Sequence, residues 1–327
     1  MSFDPNGVGR KGSLFGFPYS EKEADLVILP MPWDVTVSYG DGTSWGPAAI
    51  LDASLQLDFS ISGIASPWTY PLALSRIESE WAEWSERLRR DARLVIEALE
   101  EGIVPDQAAM DRVNEGCKQM VAHVRHLASA HLADGKTVAL LGGDHSTSLG
   151  LMQAIGGKGS FGILQIDAHM DLRRAYEGFV YSHASVMTHA MEIAGVSSLT
   201  QVGIRDYCQE EQQVVEESQK PIHVFYDDDI NEGLFLNRNW SEIVGDIVDT
   251  LPEQVYISLD IDGLDPALCP NTGTPVPGGL SFGQLDFLLR SVVRSGRKIV
   301  GFDLCEVSPG VGDWDANVGA RVLYRLA

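Results

Sequence analysis

Short apolar runs recur along the chain, each about the length of a β-strand and apolar on both of its faces. Parallel strands that are covered by helices on both sides have this composition. Residues 78–102 and 107–134 instead alternate charged and apolar positions at helical spacing, and each stretch ends at or just before a glycine. The strand-like runs are ADLVILP (24–30), TVALLGG (137–143), FGILQID (161–167), LTQVGI (199–204), IHVFY (222–226), QVYISLDID (254–262) and KIVGFDL (298–304).

The alternation of strands and helices predicts an α/β fold, with a doubly wound parallel sheet between two helical layers. The chain has 327 residues, of which 44% are hydrophobic, and this is enough for a large buried core. It contains no fixed-period repeat, no low-complexity tract and no linker rich in proline or serine. We therefore predict that residues 1–327 form one domain.

Histidines and carboxylates directly follow four of the apolar runs. In an open parallel sheet, the carboxyl ends of the strands form the edge where ligands bind, so these side chains should meet there. Two like charges about 4 Å apart repel by about 4 kcal/mol at an effective dielectric constant of about 20, so such a group needs cations to neutralise it. The candidate metal ligands are His145, Asp167, His169, Asp171, Asp260 and Asp262.

These six side chains comprise two imidazoles and four carboxylates, with no thiolate. Such donors suit Mn²⁺, with Ni²⁺, Co²⁺ or Fe²⁺ as alternatives, and they exclude an all-cysteine zinc or iron–sulfur site. Six ligands are too many for one catalytic ion with open positions, but they suit two ions that share bridging carboxylates. A lone Asp-x-Asp after a strand is usually a simple turn; three such motifs together argue for a metal site.

Composition limits the partners of the chain. It has 24 basic and 46 acidic residues, and therefore a formal charge of −22. The electric field of this negative charge repels nucleic acid and anionic membranes and attracts metal ions and amines. The first residues lack the apolar core of a secretory signal, and no apolar run approaches the ~18 residues that a membrane span needs. Four cysteines are widely spaced without a Cys-x-x-Cys pair, so we predict a reduced, cytoplasmic protein.

Three motifs of the chain resemble the signatures of the ureohydrolase family, which includes arginase, agmatinase, guanidino-acid hydrolases and formimidoylglutamase. They are GGDHS (142–146), DAHMD (167–171) and SLDIDGLDP (258–266), and the similarity extends from about residue 32 to the C-terminus. Residues 78–115 match no part of the family pattern. The resemblance implies a three-layer α/β/α sandwich of the arginase/deacetylase type, with a mostly parallel eight-stranded sheet and two Mn²⁺ ions per subunit. It also implies a homotrimer or homohexamer.

The resemblance assigns roles as well. His145, Asp167, Asp171 and Asp260 would bind one or both ions, and His169 and Asp262 would complete the set. The family's histidine after the second motif falls in YSHAS, at His183, and its guanidinium-binding glutamate falls at Glu306. The two ions would lower the pKa of water at the site and so supply the nucleophile that attacks the guanidinium carbon.

Three of these residues would carry the reaction steps on the protein side. Glu306 would orient the guanidinium of the substrate, and Asp171 would accept the proton of the attacking water. His183 would protonate the departing amine, a task for a group with a pKa near 6.5. Urea and an amine would be released.

The segment DAHMDLRRAYEGFVYSHASVM resembles the agmatinase branch of the family, as does TVSYGDGT near the start. It predicts a small cationic guanidino substrate, agmatine or a related guanidino-amine, with putrescine as the product from agmatine and a place in polyamine metabolism. Arg173 and Arg174 leave an alternative open, because they could bind the carboxylate of a guanidino acid such as 4-guanidinobutyrate, or of formimidoylglutamate. Free guanidine is a further alternative. Arginase is less favoured, because its pattern has asparagine where Arg173 stands.

Other functions fit the sequence less well. A deacetylase of related fold would need a single zinc and fewer acidic ligands, and a non-catalytic metal-binding subunit would be expected to have lost ligands. His123 and His126 lie three residues apart on a predicted helix, where a solvated face is a simpler explanation than a metal pair. Cys305 lies beside Glu306 without a nearby base in the sequence, which indicates a core thiol.

Overall fold

The computed structural model describes residues 3–327, and one eight-stranded sheet runs through it. Every pair of neighbouring strands is parallel, as the runs of residues apolar on both faces predict. The strands are β1 (Leu26–Met31), β2 (Leu72–Leu74), β3 (Thr137–Gly142), β4 (Phe161–Ile166), β5 (Val196–Ile204), β6 (Ile222–Tyr226), β7 (Gln254–Asp260) and β8 (Lys298–Cys305).

Helices connect the strands and cover both faces of the sheet. The two longest match the predicted helical stretches to within two residues at each end. The helices are α1 (Gly46–Ala53), α2 (Ser79–Glu100), α3 (Gln107–Ala133), α4 (Leu149–Gly156), α5 (Val186–Glu192), α6 (Gln209–Glu217), α7 (Asp227–Phe235), α8 (Trp240–Asp249), α9 (Phe282–Arg294) and α10 (Trp314–Leu326).

The sheet separates two hydrophobic cores. Alternate residues of a strand point to opposite faces, so that in β1 Leu26 and Ile28 join one core while Val27 and Leu29 join the other. Helices α1 and α7–α10 pack into the first core, and α2–α6 pack into the second. The predicted three-layer α/β/α sandwich is therefore confirmed. That all of residues 1–327 form one domain stays a prediction.

The strand β2 was not among the seven predicted runs. It pairs with β1 at the edge of the sheet. With only three residues, it is too short for a hydrophobic pattern to reveal. The family resemblance, which implied eight strands, gave the correct number. Within residues 3–327, no helix is both long enough and apolar enough to span a lipid bilayer.

The strand order explains why the candidate metal ligands lie close together. It runs β2-β1-β3-β8-β7-β4-β5-β6, so the four strands that precede the polar motifs are direct neighbours at the centre of the sheet. Their registers align their carboxyl ends: Leu141 pairs with Leu304, Asp260 with Cys305, and Ile166 with Leu259. The residues that follow these positions therefore converge on one edge of the sheet.

Candidate metal centre and substrate site

The first motif turns sharply at the end of β3. Gly143 packs against Trp33 so closely that a β-carbon would collide with the Trp33 carbonyl oxygen, which explains why glycine stands there. Asp144 then caps a short 3₁₀ turn, with Oδ1 accepting a hydrogen bond from the backbone N–H of Ser146 at 3.0 Å. This turn places the ring of His145, which is fully buried, over the ends of the central strands.

One side of the His145 ring faces three carboxylates. Its Nδ1 lies 3.1 Å from Asp167 Oδ2, 2.9 Å from Asp171 Oδ2 and 3.5 Å from Asp260 Oδ2. Its Nε2 lies 2.9 Å from the hydroxyl of Ser258. Nδ1 has no well-formed hydrogen bond to any residue of the described chain.

The Ser258 hydroxyl fixes which ring nitrogen carries a proton. It donates its only proton to the buried carboxylate of Asp303, at 2.9 Å to Oδ2, and a carboxylate can only accept. Ser258 must therefore accept from Nε2–H of His145, which leaves Nδ1 as the nitrogen that faces the carboxylates. Three buried carboxylates that converge on one ring nitrogen carry more negative charge than a single imidazole can balance, so the group needs a further cation.

A second donor group shares Asp167 with the first. His169 Nδ1 lies 3.1 Å from Asp262 Oδ2 and 3.6 Å from Asp167 Oδ1. The two oxygens of Asp167 thus face different histidines. In each of the two groups, His145–Asp167–Asp260 and Asp167–His169–Asp262, the donor atoms lie within 4.8 Å of one another. Asp171 joins the first group through its contact with His145.

Backbone and amide donors hold these carboxylates in place. Gln165 donates its side-chain N–H to Asp167 Oδ2 at 2.7 Å, and the backbone N–H of His169 donates to Asp167 Oδ1 at 2.7 Å. Asp262 Oδ1 accepts from the backbone N–H of Ala168 at 3.0 Å. Such outer contacts orient metal ligands before an ion binds.

The pKa shifts show that the chain alone does not balance the charge of the cluster. Burial and repulsion from Asp262 and Asp167 raise the pKa of Asp260 well above its usual value. Burial, reinforced by Asp167, raises the pKa of Asp171 to about 7. The pKa of Asp167 is lowered, because the neighbouring imidazoles of His145 and His169 together outweigh the effect of burial. The donor set and its unbalanced charge fit two divalent cations.

Glu306 adds a further carboxylate beside this cluster. It follows β8 and is almost fully buried; its Oε1 accepts the backbone N–H of His145 at 2.9 Å, whereas Oε2 has no hydrogen-bond partner within residues 3–327. Burial and the nearby Asp144 raise its pKa well above the usual value. A buried carboxylate oxygen without a donor is available to a cationic ligand.

Two of the predicted catalytic residues have a strained backbone. Asp171 has a φ of 55° and Glu306 a φ of 62°, in the left-handed region that L-residues rarely adopt. Each such residue costs about 1–3 kcal/mol, and strain of this kind clusters at active sites. Both carboxylates are thus held in positions that relaxed backbone would not give them.

A cavity of about 140 Å³ opens beside the two donor groups. His183 lies in its wall, where burial, with repulsion from His169 and His145, lowers the pKa of the ring to about 3. A proton donor with a pKa near 6.5 was expected, and the shift runs opposite to what that role requires. The lining residues are Ser38, His169, Asp171, Arg173, Tyr176, His183, Ala184, Asp206, Tyr207, Glu211 and Thr274.

Arg173 also lies in the cavity wall, but it has partners of its own. Its guanidinium lies 4.9 Å from the centre of the Tyr176 ring, and its Nε is 4.0 Å from Glu211 Oε2. Glu211 is buried and accepts the backbone N–H of Leu172 at 3.1 Å. Arg174 is exposed and does not line the cavity.

Sequence reasoning missed several residues of this site. Asp206 lies two residues after β5, so the rule that strand ends carry function could have found it. Gln165 is a polar residue inside a fully buried strand, which is a signal in itself. Tyr176, Glu211 and Thr274 carry no comparable signal in the sequence.

The residues singled out elsewhere lie outside the site. His126 is exposed on α3, as the solvated-face interpretation expects, but His123 stacks on Trp81 with ring centres 4.5 Å apart. Neither belongs to the two metal-binding groups found in residues 3–327. Cys305 is fully buried, and burial raises its pKa well above the usual value, in agreement with a core thiol.

Comparisons with known proteins agree with this geometry. Residues 24–327 match the model of the arginase family. The chain is 36% identical over 311 residues to N(1)-aminopropylagmatine ureohydrolase of Thermus thermophilus. The aligned region covers 94% of this chain and 90% of that protein. It is 30% identical over 306 residues to agmatinase of Pyrococcus horikoshii, covering 93% and 92% of the two chains.

Solved structures give the same result. The crystal structure of agmatine ureohydrolase of Thermoplasma volcanium superposes with a TM-score of 0.73 at 25% identity, over 98% of this chain and 94% of that one. The arginase family implies a binuclear site for divalent metal, and the cluster around His145, Asp167 and Asp260 fits it. The sequence, the fold and the cluster lead to one conclusion: the chain belongs to the arginase family and is a ureohydrolase.

Proposed function

We propose that the chain hydrolyses the guanidino C–N bond of agmatine or of its aminopropyl derivative, releasing urea and an amine. The observation that carries the proposal is the pair of donor groups that share Asp167, with the free carboxylate oxygen of Glu306 nearby. The names of the relatives, agmatinase and aminopropylagmatine ureohydrolase, support the same substrate class. With agmatine, the amine product is putrescine.

We propose two Mn²⁺ ions per subunit as the cofactor, with Ni²⁺ or Co²⁺ as alternatives. His145, Asp167, Asp171 and Asp260 would hold one ion, and Asp167, His169 and Asp262 the other. Imidazole with several carboxylates is a mixed nitrogen and oxygen donor set that suits these metals. When bound, the ions lower the pKa of water at the site and so supply a nucleophile at neutral pH.

Three residues of the chain would act on the substrate. Glu306 would accept hydrogen bonds from the guanidinium through Oε2 and hold its central carbon toward the donor groups. Asp171 would take the proton of the attacking water, because its carboxylate lies in the first donor group and also lines the cavity. His183 would contact the departing amine. Since its pKa is lowered, it would accept a hydrogen bond there until a proton is passed to it.

The cavity favours an amine over a guanidino acid. Apart from the proposed metal ligands, its charged lining groups are the carboxylates of Asp206 and Glu211 and one guanidinium, that of Arg173. Arg173 already lies beside Glu211, which offsets its charge for a substrate carboxylate. We therefore propose a substrate whose distal end is cationic.

The surface next to the cavity is suited to an extended substrate. A neighbouring cavity of about 590 Å³ shares Asp206 and Tyr207 with the first and adds Asp228 and Asp229. The rings of Tyr207 and Tyr226 lie 5.1 Å apart in its wall. Ammonium groups bind well to aromatic faces and carboxylates, so an aminopropyl extension would find partners here.

The experiment is urea release from agmatine, aminopropylagmatine, 4-guanidinobutyrate, arginine and guanidine, each with Mn²⁺ and with Ni²⁺. The proposal predicts the highest kcat/KM for agmatine or aminopropylagmatine with Mn²⁺. Faster turnover of 4-guanidinobutyrate would mean that Arg173 binds a carboxylate and that the proposed substrate class is wrong. Absence of urea from every substrate would instead favour a non-catalytic metal-binding subunit.

A homotrimer or homohexamer in the cytoplasm completes the proposal. Light scattering on the eluted peak of a sizing column measures the assembly. A mass of three or six times 35.6 kDa supports the assembly, and a monomer contradicts it.

A further inference from the structure

Residues 78–115 were expected to lie outside the family pattern, but the family model spans residues 24–327 and so includes helix α2. Helix α2 packs against the segment that joins β1 to α1. We call residues 33–42 of that segment the entry loop. Trp33 at its start is fully buried, and its ring lies 5.9 Å from Trp81 and 5.6 Å from Trp84 of α2. The aromatic cluster joins the helix to the base of the loop.

Polar contacts extend the attachment along the entry loop. The backbone N–H of Asp34 donates to the hydroxyl of Ser85 at 3.1 Å, and that hydroxyl donates to Asp34 Oδ1 at 3.2 Å. Asp34 Oδ2 accepts the backbone N–H of Gly42 at 3.0 Å and the hydroxyl of Ser44 at 3.0 Å, so this carboxylate links the start and the end of the loop. Arg93 of α2 forms an ion pair with Asp41.

Arg89 is the central contact between α2 and the entry loop. Within residues 3–327 it is the only arginine or lysine that is buried, with 8% of its surface exposed. Its Nη1 donates to the carbonyl oxygen of Val35 at 3.2 Å, and its Nε has no partner within the described chain. Burying a guanidinium costs folding free energy, because the charge loses its water. A buried arginine between α2 and the entry loop therefore needs an explanation.

The opposite side of the entry loop reaches the site. Ser38 lines the cavity that holds His183, and the backbone N–H of Gly40 donates to the carbonyl oxygen of Gly273 at 3.1 Å. A β-carbon on Gly273 would lie 3.7 Å from Glu306 Oε2. Contacts therefore run from α2 through the entry loop to the groups proposed to bind the substrate.

We propose that Arg89 is a positioning residue, which holds the entry loop against the opening of the site and thereby sets the affinity for the guanidino substrate. The inference rests on the proposed function. Arg89 touches neither the donor groups nor Glu306, so its loss should loosen the loop without removing metal. Substrate binding should then weaken more than the chemical step.

The test compares Arg89→Met with two matched controls. Arg90→Met changes the next residue of α2, which is exposed and pairs with Glu86 at 3.0 Å. Val95→Ala removes core packing from the same helix without removing a hydrogen bond to the entry loop, because a valine side chain makes none. The readouts are KM and kcat for agmatine with Mn²⁺, bound metal by elemental analysis, and amide hydrogen exchange of residues 33–45.

For Arg89→Met we expect KM to rise by about tenfold, the effect of one lost charge-assisted hydrogen bond, with kcat within about threefold of the parent. Metal content should stay the same, and residues 33–45 should exchange faster while β3 does not. Arg89→Lys, which keeps a charged donor for Val35, should restore most of the affinity. Neither control should raise KM. If Arg89→Met does not fold, Ser85→Ala replaces it and should give the same pattern.

Two results would overturn the inference. One is a KM for Arg89→Met no higher than that of Val95→Ala, and the other is unchanged exchange of residues 33–45. If the parent chain releases no urea from any substrate, the proposed function fails, but the exchange of residues 33–45 still shows whether Arg89 holds the entry loop.

Discussion

Replacing Ser258 by alanine tests how the metal centre is organised. The Ser258 hydroxyl accepts from Nε2 of His145 at 2.9 Å and donates to Asp303 at 2.9 Å, so it fixes the ring with Nδ1 facing the carboxylates. Without it, the Nε2–H of a fully buried ring has no acceptor, and the ring can exchange the proton between its nitrogens. The Asp303 carboxylate keeps its hydrogen bonds from the Tyr256 hydroxyl at 2.6 Å, the backbone N–H of Leu259 at 3.3 Å and the Cys305 thiol at 3.7 Å.

The magnitude follows from these two contacts. Loss of an outer contact to a metal-bound histidine costs about 10–100-fold in metal affinity, or about 1.4–2.7 kcal/mol. The unsatisfied ring nitrogen costs a further ~1–3 kcal/mol of folding stability. We therefore expect Ser258→Ala to bind Mn²⁺ about 10–100-fold more weakly, with a lower Tm when metal-free.

Calorimetric titration of the metal-free protein with Mn²⁺ measures the first effect. Thr200→Val is the control, because it also removes a buried hydroxyl from the sheet, one that contacts Thr250 at 2.8 Å and no histidine. The control should lose stability but keep its metal affinity. Unchanged Mn²⁺ affinity in Ser258→Ala would refute the proposed orientation of the His145 ring.

Three further predictions concern other groups of the site. His183→Ala should keep both metal ions by elemental analysis while kcat for agmatine falls by about 10²–10⁴-fold; loss of metal would make His183 a ligand instead. Glu306→Gln should lower kcat/KM for agmatine by at least about tenfold, since a neutral amide replaces the charged acceptor, and an unaffected kcat/KM would exclude Glu306 from substrate binding. The metal-free chain should lose stability as pH rises from about 4 through about 7, because the raised pKa of Asp260 and Asp171 means that the folded state binds protons more tightly than the unfolded state. Thermal unfolding at several pH values, with and without Mn²⁺, measures this slope, and a metal-free Tm that rises over this range would contradict it.

The part of the fold that sequence reasoning predicted is the part governed by local pattern. Seven strands are long enough to show as apolar runs, and their parallel arrangement follows from burial on both faces. The convergence of Asp167, Asp260 and His145 then follows, because parallel strands bring their carboxyl ends to one edge. The short strand β2 gave no such signal.

The features that the sequence did not predict depend on contacts between residues far apart in the chain. Glu211 reaches the site through a bond to Leu172, 39 residues away, and Arg89 reaches Val35 across 54 residues. The lowered pKa of His183 arises from its burial among other charged groups, which the ordinary value for histidine does not include. The backbone strain at Asp171 and Glu306 was likewise invisible before the structure was known.

Metal stoichiometry tests the central claim most directly. The two donor groups share Asp167 but have separate histidines, so the fully loaded, active protein should contain two transition-metal ions per chain by elemental analysis. Asp167→Asn should lose both ions together, because its carboxylate serves both groups. Full activity with a single ion per chain would contradict the account.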